Sequence, residues 1–179
     1  RCLAFEDELL TFHDLDLRSN ALANALIDKG ISAGDRVAIL AHTGTVFYEL
    51  VYACAKMGAI MTPLNWRLSP REIAGIMEDA APKIIIVAKA LAPLLVEAKN
   101  LPEHIGLESD YAVWRDAGSQ VDPARPHATD DTTLLLYTSG TTGKPKGVMI
   151  SHGNLSHVEL MAREAWDFTA KSVNLVAMP

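Results

Sequence analysis

The run Tyr137-Thr138-Ser139-Gly140-Thr141-Thr142-Gly143-Lys144-Pro145-Lys146-Gly147 gathers hydroxyl side chains, three glycines and two lysines into eleven residues. That composition suits a phosphate. Glycine at Gly140, Gly143 and Gly147 lets the backbone turn N–H groups inward or approach a ligand closely. Ser139, Thr141 and Thr142 can donate to phosphate oxygens, and Lys144 and Lys146 can neutralise them. Pro145 restrains the backbone and donates nothing. The common phosphate-loop motif is excluded, because it needs four residues between its first glycine and a Gly-Lys pair followed by Ser or Thr. Here two residues separate Gly140 from Gly143, and Pro145 follows Lys144. The same residue types also build exposed turns, so a solvent-facing hairpin stays open beside the nucleotide reading.

The apolar run ahead of this segment predicts a strand over 132–137, and Val148-Met149-Ile150 predicts a return strand. Ser151 then caps a helix reaching about Ala165, with a last strand at the C-terminal end. Upstream, Thr11 and Asp14 form an acidic variant of the capping box, with Leu15, Leu22 and Leu26 on one helical face and Gly30 as the stop. Arg36-Val37-Ala38-Ile39-Leu40 reads as a strand buried on both faces. A second helix spans about Thr45 to Met57, with Val46, Leu50, Cys54 and Met57 inward and Gly58 closing it. Residues 59–62 form the next strand, stopped by Pro63. Ser69-Pro70-Arg71-Glu72 is a complete helix start, with Ile73, Ile76 and Met77 as the buried stripe. A strand follows over 83–88, then a less regular helix over 91–99 anchored by Leu91, Leu94, Leu95 and Ala98. From about 115 to 131 the chain loses periodicity and reads as a surface loop. Helices alternating with short apolar strands imply an α/β fold: a largely parallel sheet covered by helices.

The 179 residues carry 16 basic and 22 acidic side chains, a formal charge of -6, with 49% apolar composition. One domain with a real core is expected, and nucleic acid is not an expected partner. No run is long or apolar enough to span a bilayer, and acidic residues interrupt what would be a signal peptide at the start. Cys2 and Cys54 have no neighbours of metal-ligand spacing, which makes a reducing, cytoplasmic setting the default. The chain begins at Arg1 without a methionine and stops in an apolar run, so both ends read as cut.

Leu136 through Val148, followed by Ser151-His152-Gly153-Asn154-Leu155, resembles the signature of the AMP-forming adenylating enzymes, which include acyl-CoA synthetases, peptide-synthetase adenylation domains and firefly-type luciferases. Thr11-Phe12-His13-Asp14-Leu15, Gly34-Asp35-Arg36-Val37-Ala38 and Pro63-Leu64-Asn65-Trp66-Arg67-Leu68 resemble that family's earlier segments in the right order. The resemblance covers essentially the whole chain. It implies that residues 1–179 are part of the large N-terminal AMP-binding domain of an acyl-CoA synthetase-like fold. It also implies ATP-dependent activation of a carboxylic acid to an acyl-adenylate, with Mg2+, and then thioester formation with CoA as co-substrate. On that resemblance Thr138, Ser139, Gly140, Thr141, Thr142, Gly143, Lys144 and Lys146 belong to the loop that holds the β- and γ-phosphates, with Ser139, Thr141, Thr142 and Lys144 as the main contacts and Lys146 either on phosphate or pinning the loop to the protein. The family's magnesium Glu, ribose Asp, hinge and catalytic Lys have no match here, so no complete catalytic set and no metal site is expected in these residues. The fragment alone is expected to complete neither half-reaction.

Two other functions stay open: an adenylation domain that loads a carrier protein, and a non-catalytic nucleotide-binding relative. Asn65-Trp66-Arg67-Leu68 favours the fatty- and aromatic-acid CoA ligases, which would place the parent in fatty acid metabolism. The acid itself is not readable, and a homo-oligomer stays open. Among other candidates, His152 reads as capping or packing behind the loop, with ligand contact left open, and His157 as helix surface. Trp66 and Arg67 read as fold support near a sheet edge, Cys54 as a small buried hydrophobe, and Trp166 and Phe168 as core or interface aromatics.

Overall fold

The computed structural model describes residues 2–138, 145–169 and 171–174. The chain opens with a small antiparallel pair, β1 (Leu3–Phe5) and β2 (Glu8–Leu10), followed by α1 (Phe12–Asp28). Thr11 starts α1 as expected: its hydroxyl accepts from Asp14 N at 3.1 Å, while the Asp14 carboxylate accepts from Thr11 N at 2.8 Å. Then come β3 (Arg36–Leu40), α2 (Thr45–Met57), β4 (Ile60–Pro63), α3 (Pro70–Ala80) and β5 (Ile84–Val87). Gly58 ends α2 at φ 76, a conformation that costs glycine little. Ser69 and Glu72 form the expected reciprocal cap on α3, with Pro70 in its first turn.

Six strands make the main sheet in the order β6-β5-β3-β4-β7-β8, where β6 is Glu103–Gly106, β7 is Thr132–Thr138 and β8 is Lys146–Ser151. All neighbours are parallel except β7 and β8, which run antiparallel from Thr132↔Ser151 to Thr138↔Lys146. The continuous apolar runs of β3 and β5 are explained by burial on both faces. Val37, Ile39, Ile84 and Ile86 meet Leu22, Leu26, Leu50 and Met57 of α1 and α2 on one side. Ala38, Leu40, Ile85 and Val87 meet Ile73, Ile76 and Met77 of α3 on the other. Alternation along each strand sends successive side chains to opposite layers.

Several expectations need correction. β4 ends at Pro63 as expected but includes it, in register with Ile39, while Leu64 N donates to Ile39 O at 2.8 Å. By alternation the missing N–H of Pro63 faces β7, which is registered to β4 at the single pair Met61↔Leu134. The helix expected over 91–99 is a 3-10 segment, Lys89–Leu95, with Pro93 inside it; proline removes a backbone donor and favours the shorter form. Strands β1, β2 and β6 and the helix α4 (Tyr111–Asp116) were not expected. Arg115 belongs to α4 and is buried, so the irregular segment starts after it. That segment is also strapped to α1. Asn20 Nδ2 donates to Gln120 O at 3.0 Å, and Asn24 Nδ2 donates to Ser119 O and Val121 O at 2.7 and 2.8 Å. Gly118 lies so close to α1 that a Cβ would sit 2.1 Å from Ala21 O. At the other end, Ser151 caps α5 (His152–Ala165) as expected. The last strand expected beyond it falls mainly on 175–179, outside the described residues, and 171–174 contain no strand.

Candidate nucleotide site

Chain order places a crevice at the carboxyl ends of β3, β4 and β7. From β3 the chain crosses through α2 to β4 on one side, then returns through α3 to β5 on the other, so the direction of winding reverses around β3. Crevices outside strand ends at such reversals are where open α/β sheets bind ligands. A cleft of about 340 Å³ sits there, lined by Ala41, Phe47, Leu64, Trp66, Tyr137 and Thr138 among others. It is largely apolar, with hydroxyls at its β7 wall.

Of the eight residues expected at phosphate, Thr138 and Lys146 are described. They are the last residue of β7 and the first of β8, opposite one another in register and both exposed. Ser139, Gly140, Thr141, Thr142, Gly143 and Lys144 lie outside the described residues. Of the two that are placed, Thr138 lines the cleft and Lys146 stands across from it on β8, so a hydroxyl on one strand faces an ammonium-bearing residue on the other.

Tyr137, next to Thr138, reaches back to the scaffold. Its hydroxyl donates to Asp79 Oδ2 at 2.5 Å, in the last turn of α3, and its ring packs against the α3-side core. Burial, then the bond to the Asp79 carboxylate, pushes its phenol well above the usual tyrosine range, so it stays a donor. Gly147 stands directly across from it.

Trp66 follows β4, and β4 lies between β3 and β7, so the expected sheet-edge position is corrected to a wall of the cleft. Its ring also packs against the α3-side core and meets His42 edge-on at 4.6 Å, with the Arg67 guanidinium 5.1 Å from its centroid. His152 is corrected too. It sits at the far end of the β7–β8 pair from Thr138, roughly 20 Å away at the usual rise per strand residue. There it stacks on His127 at 4.2 Å, its backbone N donates to Asp131 O, and its buried Nε2 has no partner among the described residues. Burial and then His127 lower its pKa, against the pull of Asp131. His157 behaves as a helix residue, with Nδ1 on Gly153 O at 2.7 Å. Trp166 and Phe168 touch each other and are exposed, and Cys54 is fully buried. Among the described residues no group of three or more His, Cys, Asp or Glu could hold a metal.

The scaffold contains an ion network, centred on α2, that the sequence reading missed. Glu49 of α2 has no exposed surface, yet its carboxylate accepts from Arg18 at 3.1 Å, Arg115 at 2.9 Å and the Tyr111 hydroxyl at 2.6 Å. Arg18 also donates to Glu8 at 2.5 Å, and Arg115 to Asp116 at 2.8 Å. Burial works against the Arg115 charge, but Asp116 and Glu49 outweigh it and raise its pKa. Burial and Glu49 together push the Tyr111 phenol up. The network joins β2, α1, α2 and α4. Its one sequence signal is a lone acid inside the otherwise apolar Val46-Phe47-Tyr48-Glu49-Leu50-Val51.

Residues 1–179 match the family model described as AMP-binding enzyme. The chain is similar to a fatty acid–[acyl-carrier-protein] ligase of Streptomyces coeruleorubidus, 33% identical over 177 residues that cover 97% of this chain and 34% of that protein. It is similar to a feruloyl-CoA synthase of an Amycolatopsis species, 34% identical over 179 residues, covering 95% of this chain and 34% of that one. An acyl-CoA synthetase structure from Brucella canis matches with a TM-score of 0.82 at 27% identity, over 92% of this chain and 32% of its own. The chain thus spans about a third of the length of these curated relatives.

Proposed function

Because the chain belongs to the AMP-binding enzymes, we propose that the protein carrying it joins a carboxylic acid to the thiol of CoA through an acyl-adenylate. A carboxylate oxygen attacks the α-phosphorus of Mg-ATP, the bond to the bridging oxygen breaks, and pyrophosphate leaves. The CoA thiolate then attacks the acyl carbon, and AMP leaves with the oxygen it gained. The attacking carboxylate is already ionised and needs no general base. The protein's task in the first step is therefore to stabilise charge on the departing pyrophosphate. That task falls to Thr138, Ser139, Gly140, Thr141, Thr142, Gly143, Lys144 and Lys146. The observation that supports it best is Thr138 lining the cleft at the strand ends, with Lys146 on the same rung of the β7–β8 pair. Mg2+ enters as part of its nucleotide substrate.

The setting proposed is cytoplasmic, in keeping with two free thiols and with no helix of the described residues long and apolar enough to cross a membrane. The 179 residues by themselves are proposed to complete neither half-reaction. The test is acid-dependent exchange of labelled pyrophosphate into ATP by the full polypeptide, across short, long and aromatic acids. Exchange with one acid class supports the reading and names the substrate class. Absence of both exchange and ATP binding, in a folded protein with Mg2+, would move the assignment to a non-catalytic relative. A carrier-protein thiol as acceptor is the second reading, favoured by the similarity to an acyl-carrier-protein ligase. Thioester formation with CoA against a carrier protein separates the two.

A further inference from the structure

We propose that Tyr137 and Asp79 form a latch that sets where Thr138, at the cleft, and its rung partner Lys146 stand, making Tyr137 and Asp79 positioning residues for the nucleotide. In its functional part this rests on the reading above. β7 is registered to β4 only at Met61↔Leu134. Beyond that pair, residues 135–138 advance with β8 alone as their ladder partner, and β8 is the outermost strand. β7 lies along β4 and packs through Leu134 and the Tyr137 ring, but no backbone register to β4 is formed over 135–138. The hydrogen bond from the Tyr137 hydroxyl to Asp79 Oδ2 supplies a directed tie there, one residue from Thr138 and across to the end of α3. Apolar packing is non-directional, so the hydrogen bond is what sets the angle of the strand end.

Gly147 is built to admit the latch. Its φ is not in the left-handed region, so backbone freedom is not what calls for glycine there. A Cβ at that position would sit 2.9 Å from Leu135 Cδ1, 3.3 Å from Tyr137 Cζ and 3.4 Å from the Tyr137 hydroxyl. Any side chain would press on the ring that carries the bond. The third glycine of the signature run therefore makes room for the tyrosine at its head. The donor is also permanent through neutral pH, since burial and Asp79 both hold the phenol protonated.

The test uses Tyr137→Phe, Asp79→Ala and Asp79→Asn, the last keeping an acceptor oxygen. In the 179-residue chain, amide hydrogen exchange at 136–138 and 146–148 accelerates about tenfold in Tyr137→Phe and Asp79→Ala, as expected for one lost charge-assisted bond. Asp79→Asn stays within about threefold of the parent, since its carbonyl can still accept. Amides of β3 and β5 do not change. Equal acceleration in β3 and β5, or none at 136–138 and 146–148, overturns the latch. In the full polypeptide, the two disruptive variants raise KM for Mg-ATP about tenfold and leave KM for the acid unmoved, and the double variant is no worse than either single one. Exchange activity with an unmoved KM for Mg-ATP sinks the positioning role. A parent without exchange or ATP binding refutes the proposed function instead, and the amide pattern then decides the latch alone.

Discussion

Replacing Glu49 with alanine removes the shared acceptor of three donors at once. The Tyr111 hydroxyl, with 2% of its residue surface exposed, is left with no acceptor among its present contacts. Arg115 keeps Asp116 but loses its buried partner, and Arg18 keeps Glu8. Breaking a buried ion pair from one side costs about 3–5 kcal/mol, because the remaining charge stays buried without compensation. At about 2–4 °C per kcal/mol for a chain of this size, the melting temperature should fall by roughly 6–20 °C. Glu49→Gln keeps one acceptor and the side-chain volume, so its cost should be about half. Urea unfolding followed by far-UV circular dichroism measures both. The penalty should persist in 0.5 M salt, since Glu49 is shielded from solvent. The outer Arg18–Glu8 pair, with side chains 31% and 37% exposed, should by contrast be screened. A loss below about 1 kcal/mol at unchanged m-value would refute the claim that this network clasps β2, α1, α2 and α4.

Three further outcomes are expected. Gly118→Ala places a Cβ against Ala21 O at 2.1 Å and Ala25 N at 2.9 Å, backbone atoms that cannot swing away. It should cost about 1–3 kcal/mol in urea unfolding and speed amide exchange at 119–121, whereas unchanged exchange would mean that the strap is not tight. The folded-state pKa of His152 is lowered, so the unfolded chain takes up its proton first as pH falls. Stability should therefore decline from about pH 6.5 downward, and comparing urea midpoints at pH 7.5 and 5.5 should show a smaller decline in His152→Gln. Burial pushes the Cys54 thiol far up. A disulfide reagent should then modify only Cys2 in the native protein and both thiols in urea, and rapid native labelling of Cys54 would contradict its burial.

What could be read from the sequence was what is decided locally. Ser69-Pro70-Arg71-Glu72 and Thr11-Phe12-His13-Asp14 carry their own caps, and β3 and β5 are apolar runs between breakers, so their positions followed from neighbouring residues. Strand β6 is different. Of Glu103-His104-Ile105-Gly106 only Ile105 is buried, and its extended form comes from lying beside β5. Helix α4 has six residues, too few to persist alone, and is held by Tyr111 and Arg115 on Glu49. At the site, residue chemistry singled out the run that Thr138 and Lys146 bracket. The partner of Tyr137 lies 58 residues away, a pairing no local pattern encodes. Trp66 was misplaced because strand order, not strand identity, decides whether a residue lies at an edge.

The buried members of both core clusters all fall between Leu22 and Tyr111, and among the described residues after them Trp114, Leu134 and Tyr137 pack against these clusters, all partly buried. The main interior and the β7–β8 pair thus draw on successive stretches of one polypeptide. During synthesis the segments that build this interior all precede the β7–β8 pair, which is laid against them afterwards. Local opening of that late segment is correspondingly cheaper than global unfolding. Substitutions there should disturb the interior less than substitutions between Leu22 and Tyr111.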